Sequence, residues 1–268
     1  MILKSAFDAL SSILVPAPCR ICAAPLMQAS RIPICESCLS SFERISEPMC
    51  QACGRPFVSE VAASAKVPLC RMCRRDFYAF DAARSFAIYN DALSDAVTLL
   101  KYDQVTCLGS WFAARLGETL SNLGERWQPD VLVPVPLHRD RRRERGYNQA
   151  ELIAGPLAKR LGLKLQADIL IRTKPRPPQL LLSRSERWKI VRGAYETRGG
   201  LPIDKKHVLL VDDVMTTGAT LDSCAKALKK AGAASVLGLT VGRIVPGWTG
   251  KTMVGHDTLR SATETNLG

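Results

Sequence analysis

Apolar residues follow two alternating patterns along the chain from about Phe80 onward. Short continuous apolar runs predict buried strands at 85–89, 131–135, 169–172, 207–211 and 236–241. Apolar positions at helical spacing predict helices over 92–102, 111–123, 147–161 and 219–230. Because strands alternate with helices, we predict an α/β domain with a mostly parallel sheet that is covered on both faces. Ligands of such sheets bind beyond the carboxyl ends of the strands.

The ends of the chain lack this alternation. Residues 1–15 carry Lys4 and Asp8 among apolar residues at helical spacing, which favours a helix docked on the protein over one lying on a membrane surface. The chain has no run of eighteen apolar residues and no signal-peptide cleavage site, so we expect a cytoplasmic protein without a transmembrane segment. Residues after Pro246 are rich in Thr, Gly and Ser and predict a loose tail.

Eight of the ten cysteines form four CxxC pairs in the first part of the chain. The pairs are Cys19 and Cys22, Cys35 and Cys38, Cys50 and Cys53, and Cys70 and Cys73. Two such pairs supply the four thiolates of a tetrahedral zinc site, and the intervening twelve and sixteen residues suit zinc ribbons. We expect sequential pairing because it closes the shorter loops, with a crossed arrangement as the alternative. Four thiolates fill a site, so we expect two structural zinc ions, with disulfides or an iron–sulfur cluster as the alternatives to zinc.

These patterns predict three segments. A helix and a double zinc-ribbon module occupy 1–78, an α/β domain occupies 79–245, and the tail occupies 246–268. The two remaining cysteines, Cys107 and Cys224, stand in apolar surroundings and are interpreted as core residues.

The net charge of +12 favours anionic partners. The excess of Lys and Arg lies in two clusters, at 139–145 and 172–192. Charge alone leaves nucleic acid, anionic lipid and phosphorylated small molecules open, and a pair of solvated basic loops is the simplest alternative. Aromatic residues make up 6% of the chain and do not interleave with the basic clusters, which argues against a platform for stacked bases.

The predicted strand at 207–211 leads into the segment with the most specific chemistry, VLLVDDVMTTGAT at 208–220. Asp212 and Asp213 at the strand end are suited to accept hydrogen bonds from vicinal ribose hydroxyls or to hold hydrated Mg²⁺. The following turn offers backbone NH groups and threonine hydroxyls to a phosphate, and Gly218 allows close approach. No Lys follows the glycine, which excludes a Walker-type loop. We predict a ribose 5-phosphate site, with an ordinary strand-to-helix turn as the alternative.

These thirteen residues resemble the phosphoribosyl-diphosphate signature of the type I phosphoribosyltransferases. Together with the CxxC pairs, LKYD at 100–103 and VPVPLHRDRRRERGYNQAELIA at 133–154, they are similar to the ComF family, which includes proteins of natural competence. The resemblance implies a type I phosphoribosyltransferase fold preceded by the zinc-ribbon module. It also implies a site for 5-phosphoribosyl-1-diphosphate with Mg²⁺, and a homodimer as a common assembly.

The resemblance further implies roles for individual residues. Asp212 and Asp213 are expected to be catalytic and to hold the 2- and 3-hydroxyls of the ribose, and residues 216–220 are expected to hold the 5-phosphate. The turn at 133–137 is expected near the diphosphate, and 172–187 is expected to form a flap that closes on it. The expected substrate-binding residues are Lys101, Arg143, Arg145, Asp212, Asp213, Met215, Thr216, Thr217, Gly218, Ala219 and Thr220.

Two functions are carried forward as hypotheses. The first is transfer of a phosphoribosyl group to or from a nitrogenous acceptor, with Mg²⁺ and a cation such as Arg143 or Arg145 stabilising the departing diphosphate. The second is a non-catalytic sensor of phosphoribosyl diphosphate, or an accessory protein of natural transformation that binds single-stranded DNA or DNA-uptake proteins. His138 is interpreted as a packing or loop residue rather than a proton carrier.

Overall fold

The structure of the protein is a computed structural model that describes residues 17–26, 30–57, 67–123, 127–175, 184–199 and 203–248. The predictions for residues 1–15, for the middle of the flap and for the tail beyond residue 248 lie outside the described residues. Within the described ranges, no helix combines the length and the apolar character needed to cross a bilayer.

A parallel sheet forms the centre of the structure. Its strands are β1 (Ala82–Ile88), β2 (Val131–Pro134), β3 (Lys164–Leu165), β6 (His207–Met215) and β7 (Ser235–Arg243). The strand order is β1-β7-β6-β2-β3, and every neighbouring pair is parallel. A separate antiparallel pair joins β4 (Leu170–Arg172) to β5 (Tyr195–Thr197). The predicted α/β architecture with a parallel sheet is confirmed.

Seven α-helices accompany the strands in the described ranges. They are α1 (Glu36–Ser40), α2 (Asp91–Tyr102), α3 (Cys107–Ser121), α4 (Arg139–Arg145), α5 (Gln149–Leu161), α6 (Arg184–Val191) and α7 (Ala219–Lys230). The four predicted helices correspond to α2, α3, α5 and α7. The basic cluster at 139–145 forms α4, and the cluster at 172–192 contains α6. Apolar periodicity predicted neither of these helices.

Local signals explain where the predicted helices begin and end. The side chains of Asn90 and Asn148 accept hydrogen bonds from backbone NH groups in the first turns of α2 and α5. Gly162 ends α5 in the left-handed conformation, with φ of +66°. These caps fix where α2 and α5 begin and where α5 ends.

Two apolar cores lie against the sheet. Alternate residues of β6 contribute to different cores: Leu209 and Val211 pack with α2, α3 and α5, whereas Val208 and Leu210 pack with α7. The zinc-ribbon module takes part in both cores. The first ribbon contributes Phe42 to the core that contains α3. The second ribbon contributes Cys53 to the core that contains α7.

Backbone hydrogen bonds also join the module to the edge strand β1. The NH of Ile45 donates to the carbonyl of Phe86 at 3.0 Å, and the NH of Ala83 donates to the carbonyl of Ala52 at 2.8 Å. The ribbons therefore cover an edge of the sheet that would otherwise expose unpaired backbone groups.

Candidate functional site

A cavity of about 320 Å³ opens where β2 and β6 end. The expected binding residues that line it are Lys101, Arg145, Asp212, Asp213, Thr216, Thr217, Ala219 and Thr220. Met215 is buried behind this lining, and Gly218 lies at the start of α7. Arg143 is exposed on α4 and is not part of the cavity wall, where Arg141 lies instead. The structure thus brings most of the expected residues together, and their roles stay predictions.

The two aspartates lie near the carboxyl end of strand β6 and are almost fully buried. Asp212 is 9% exposed and Asp213 is 6% exposed. The NH of Asp213 donates to Oδ1 of Asp212 at 2.8 Å. Oδ2 of Asp213 is buried and has no hydrogen-bond partner within the described residues. A buried carboxylate oxygen without a partner is costly, so this atom is suited to accept from a ligand hydroxyl or a metal-bound water.

Lys101 from the end of α2 holds the other oxygen of the same carboxylate. Its Nζ lies 3.0 Å from Oδ1 of Asp213. Burial alone would lower the pKa of Lys101, but the Asp213 carboxylate outweighs burial and raises that pKa above its ordinary value. Lys101 therefore stays charged and places one fixed cation beside the aspartates.

The turn between β6 and α7 has the shape of an anion-binding loop. Gly218 caps α7 with φ of +82°, and a Cβ atom at this position would lie 2.8 Å from Cε1 of Tyr78. Both facts require glycine here. Oγ1 of Thr217 accepts from the NH of Ala219 at 3.3 Å, and the Tyr78 hydroxyl donates to the carbonyl of Thr217 at 3.1 Å. The turn lies at the N-terminus of α7, a position that favours bound anions.

Tyr78 belongs to the module rather than to the loop that it supports. Burial raises the pKa of Tyr78 to about 12. The phenol therefore keeps its proton at physiological pH and remains a donor to Thr217. Its ring stacks on Phe80 with 4.6 Å between centroids, which fixes its direction.

Among the described residues, four arginines line the same cavity: Arg141, Arg145, Arg172 and Arg187. Arg145 donates to Oε1 of Gln149, and its guanidinium lies 4.8 Å from the centroid of the Tyr102 ring. Nη2 of Arg172 is buried without a hydrogen-bond partner in the described part of the chain. With Lys101, these groups outnumber the two aspartates, so the cavity suits a strongly anionic ligand.

His138 and the two isolated cysteines match their sequence interpretation only in part. Nδ1 of His138 accepts from the NH of Asp140 at 3.4 Å and caps α4. Cys224 is fully buried, and burial raises the pKa of its thiol well above the ordinary value, so it is not a nucleophile. Cys107 is only half-buried, and its Sγ lies 3.0 Å from the carbonyl of Arg31.

The eight paired cysteines form two groups of four. The first consists of Cys19, Cys22, Cys35 and Cys38, and the second of Cys50, Cys53, Cys70 and Cys73. All are free thiols, which contradicts the disulfide alternative and confirms the sequential pairing. Within a group, all Sγ atoms lie within 4.8 Å of one another.

The geometry of both groups fits zinc. The Sγ atoms are 3.6 Å apart for Cys22 and Cys35 and 3.7 Å apart for Cys53 and Cys70. A tetrahedron with Zn–S bonds of about 2.3 Å has edges of about 3.8 Å. Backbone NH groups also point at the sulfurs, as expected for thiolates: the NH of Cys70 lies 3.3 Å from Sγ of Cys50. Four thiolates fill each site, so both are structural.

A buried arginine connects the second zinc site to the end of β6, directly before the anion-binding loop. Nη2 of Arg243, at the end of β7, donates to Sγ of Cys53 at 3.4 Å, and Nη1 donates to the carbonyl of Cys53 at 2.6 Å. The same Nη1 lies 3.0 Å from Sδ of Met215. Arg84, 7% exposed, donates to the carbonyl of Gln51 at 2.9 Å in the same ribbon. A zinc ion with four thiolates carries a charge of about −2, which these two buried cations balance.

Sequence reasoning missed three residues that shape the site. Arg141 was passed over because the basic cluster was not recognised as a helix. Tyr78 and Arg243 belong to segments distant in sequence from the loop, and no local pattern marks them. The signal that was available for Arg141 is its spacing from Arg145, since residues four apart share one face of a helix.

Comparisons with known proteins agree with both parts of the chain. Residues 148–241 match the phosphoribosyl transferase domain, and residues 10–75 match the double zinc ribbon domain. The DNA utilization protein YhgH of Escherichia coli (strain K12) is 30% identical over 83% of this chain and 95% of its own length. The competence protein ComFC of Bacillus subtilis (strain 168) is 31% identical over 78% of this chain and 83% of its own length.

A solved structure, the purine phosphoribosyltransferase from Pyrococcus horikoshii Ot3, covers 55% of this chain and 95% of its own with 20% identity and a TM-score of 0.32. The family matches, together with the relatives that align over most of their length, identify the type I phosphoribosyltransferase fold with an N-terminal zinc-ribbon module. The chain belongs to the ComF family.

Proposed function

We propose that the protein binds 5-phosphoribosyl-1-diphosphate in the cavity at the end of β6 and transfers its phosphoribosyl group to or from a nitrogenous acceptor. One observation carries the proposal: a buried carboxylate, Asp213, is held on one side by Lys101 and has an unsatisfied oxygen on the other, beside an anion-binding loop. A ribose with a 5-phosphate offers a hydrogen-bond donor to the carboxylate and an anion to the loop. Its vicinal hydroxyls donate to the aspartates, and its phosphate accepts from the loop at 216–220.

The proposed reaction is a substitution at the anomeric carbon. The lone pair of the acceptor nitrogen forms the new C–N bond, the C–O bond to diphosphate breaks, and its electron pair leaves with the diphosphate. Any proton on the attacking nitrogen is lost to solvent or to the leaving diphosphate. The ribose ring carries positive charge in the transition state, which the carboxylates of Asp212 and Asp213 stabilise, while Arg141 and Arg145 stabilise the departing anion.

The carboxylates also fit a magnesium ion that arrives with the diphosphate. Hard oxygen ligands and retained waters are what Mg²⁺ prefers, and the free oxygen of Asp213 is suited to accept from a metal-bound water. When bound, Mg²⁺ would neutralise charge on the diphosphate and make it a better leaving group. The protein's own contribution is to hold the ribose in place and to surround the diphosphate with cations.

The test of binding is a thermal unfolding measurement with phosphoribosyl diphosphate and Mg²⁺. A ligand selective for the folded state at one hundred times its Kd adds about 2.7 kcal/mol of stability. For a chain of this size, this corresponds to a rise in Tm of about 5–10 °C. Mg²⁺ alone and diphosphate without ribose are the controls. No rise with the complete ligand at millimolar concentration would refute the proposal.

The relatives' names suggest the wider role. YhgH is named a DNA utilization protein and ComFC a competence protein. We infer that this chain has a role in competence and acts in the handling of DNA. Its phosphoribosyl site would then serve that process either as a catalyst or as a sensor.

A second candidate function, binding of single-stranded DNA, is favoured by one surface. Phe77 is 43% exposed, and its ring lies edge-on to Trp188 with 4.9 Å between centroids. Together with Lys189, Arg192 and Lys226 these rings line a cavity of about 420 Å³. Trp188 belongs to the second basic cluster, so the sequence argument that aromatic and basic residues do not interleave is wrong. Trp188 is half-buried, and Phe77 is the exposed ring of the pair. Accessible aromatic rings with cations around them are what single strands bind.

Replacing Trp188 or Phe77 by alanine is expected to weaken binding of a single-stranded oligonucleotide. Loss of one stacked base costs about 1–3 kcal/mol, which corresponds to about 5–150-fold in Kd. Tyr102→Ala, a change of an exposed ring outside this surface, should leave the Kd unchanged. Lys189→Gln should lower the slope of log Kd against log salt by about 0.7 if it contacts one phosphate. Equal losses in all three aromatic variants would place DNA binding elsewhere.

A further inference from the structure

A second cavity lies between the second zinc ribbon and the anion-binding loop. Its volume is about 230 Å³, and it shares Arg187, Thr216, Thr217 and Ile244 with the first cavity. A molecule seated in it would therefore lie next to a ligand bound in the first. The second zinc ribbon forms the wall on the far side. The proposed phosphoribosyl site does not account for a ligand in this second cavity.

The charges facing this cavity are unequal. Arg55, Arg187 and Arg243 line it, and none of the described residues that line it is Asp or Glu. Cys53 and Cys70 of the second zinc site also line it, and Arg243 donates to Sγ of Cys53. The guanidinium of Arg55 makes no hydrogen bond or ion pair with any described residue. Nε of Arg243 is buried and is also without a partner in the described ranges.

Apart from Thr216 and Thr217, the rest of the wall is largely apolar. Met72, the ring of Tyr78, Ile244 and Pro246 form it. Because the volume falls below the approximately 300 Å³ at the lower end of drug-sized ligand pockets, it suits a single ring and not a nucleotide. A planar ring would pack on Tyr78, while a charged substituent would reach Arg55.

We propose that this second cavity binds the acceptor of the transfer reaction, and that the acceptor is a single-ring nitrogen heterocycle with a negatively charged group, such as a carboxylate. The inference rests on the proposed phosphoribosyl transfer and names the class of its acceptor. A ring packed on Tyr78 would direct its nitrogen toward Arg187 and Ile244, which both cavities share, and so toward the ribose in the first cavity. The carboxylate stays at the opposite end, paired with Arg55.

Two pairs of probes that differ mainly in charge test this inference. Pyridine-3-carboxylate is compared with pyridine-3-carboxamide, and uracil-6-carboxylate with uracil, by calorimetry on the full-length zinc-loaded protein in phosphoribosyl diphosphate and Mg²⁺. Release of diphosphate is followed in parallel. We expect at least one carboxylate to bind about tenfold or more tightly than its neutral partner, the difference that one charge-assisted hydrogen bond makes.

Variants of Arg55 locate the effect. Arg55→Gln should remove the preference for the carboxylate, Arg55→Lys should retain part of it, and Arg75→Gln, which removes an exposed arginine of the same ribbon, should leave it intact. Zinc content and Tm of each variant show that the ribbon is folded. If Arg55→Gln loses zinc, Arg55→Lys takes its place in the test. Arg55→Lys must then show a reduced preference for the carboxylate.

The outcomes separate this inference from the proposed function. If phosphoribosyl diphosphate binds but both members of each pair bind equally or not at all, the anionic acceptor is refuted and the phosphoribosyl site stands. If phosphoribosyl diphosphate does not bind, the probes are titrated alone. Carboxylate binding that depends on Arg55 then supports the second cavity as an anion site, and its absence refutes it.

Discussion

Replacement of Cys70 by serine is expected to lower the zinc content from two ions per chain to one and to abolish ligand binding at the phosphoribosyl site. Structural zinc contributes about 10–16 kcal/mol in small zinc domains, which equals or exceeds the stability of a typical domain. Without the metal, the second ribbon loses its fold. Arg243 then loses its bonds to Cys53. Tyr78, at the end of the module, is no longer held in place to bond the carbonyl of Thr217.

Cys22→Ser is the matched control, because it removes the exposed thiol of the first site. It should also cost one zinc ion and lower the Tm, since the first ribbon packs on the core with α3. The rise in Tm with phosphoribosyl diphosphate and Mg²⁺ should nevertheless persist. Metal analysis and thermal unfolding measure both effects. Loss of the ligand response in both variants would show that the loop does not depend on the second ribbon in particular.

The variant Asp213→Asn is expected to weaken ligand binding by about 10–100-fold, the range for loss of hydrogen bonds to one charged group. It should also lower the free energy of unfolding, because Lys101 loses the carboxylate 3.0 Å away. Breaking a fully buried pair costs about 3–5 kcal/mol. The Lys101 side chain is 20% exposed, so a smaller loss of about 1–3 kcal/mol is expected.

A double variant separates ligand binding from stability. In Lys101→Met with Asp213→Asn, neither partner is left charged, so the free energy of unfolding should recover while ligand affinity stays low. Asp95→Asn, on the exposed face of α2, controls for the chemical change. Recovery of both properties in the double variant would mean that the carboxylate is only a partner for Lys101. Chemical denaturation and calorimetry give the two quantities.

The strands and helices of the sheet were predictable because their apolar periodicity is local. α4 was not, since its sequence RDRRRER has no apolar face and only the cap at His138 marks its start. Once α4 is known to be a helix, the placement of the arginines follows. Arg141 and Arg145 are four residues apart and share the face toward the cavity, whereas Arg143 lies on another face.

The candidate site was predictable where it lies on one segment of chain. The aspartates, the threonines and Gly218 follow one another directly, so their chemistry is visible in thirteen residues. The ion pair between Lys101 and Asp213 joins segments more than one hundred positions apart. Lys101 was named only through the resemblance to the ComF family, because no periodicity of a single chain reports which helix end meets which strand end.

The position of β7 in the sheet has a consequence for the order of events during synthesis. β7 is the last strand of the chain, yet it lies between β1 and β6. The hydroxyls of Ser85 and Thr240, which meet across that boundary, are 155 positions apart. At about 5–20 residues per second, the ribosome needs about 10–30 s to make the intervening segment. During this interval the ribbons are able to bind zinc, but β1 cannot yet pair with β7. A chain that ends before Ser235 lacks β7 and would leave that edge permanently open to aggregation.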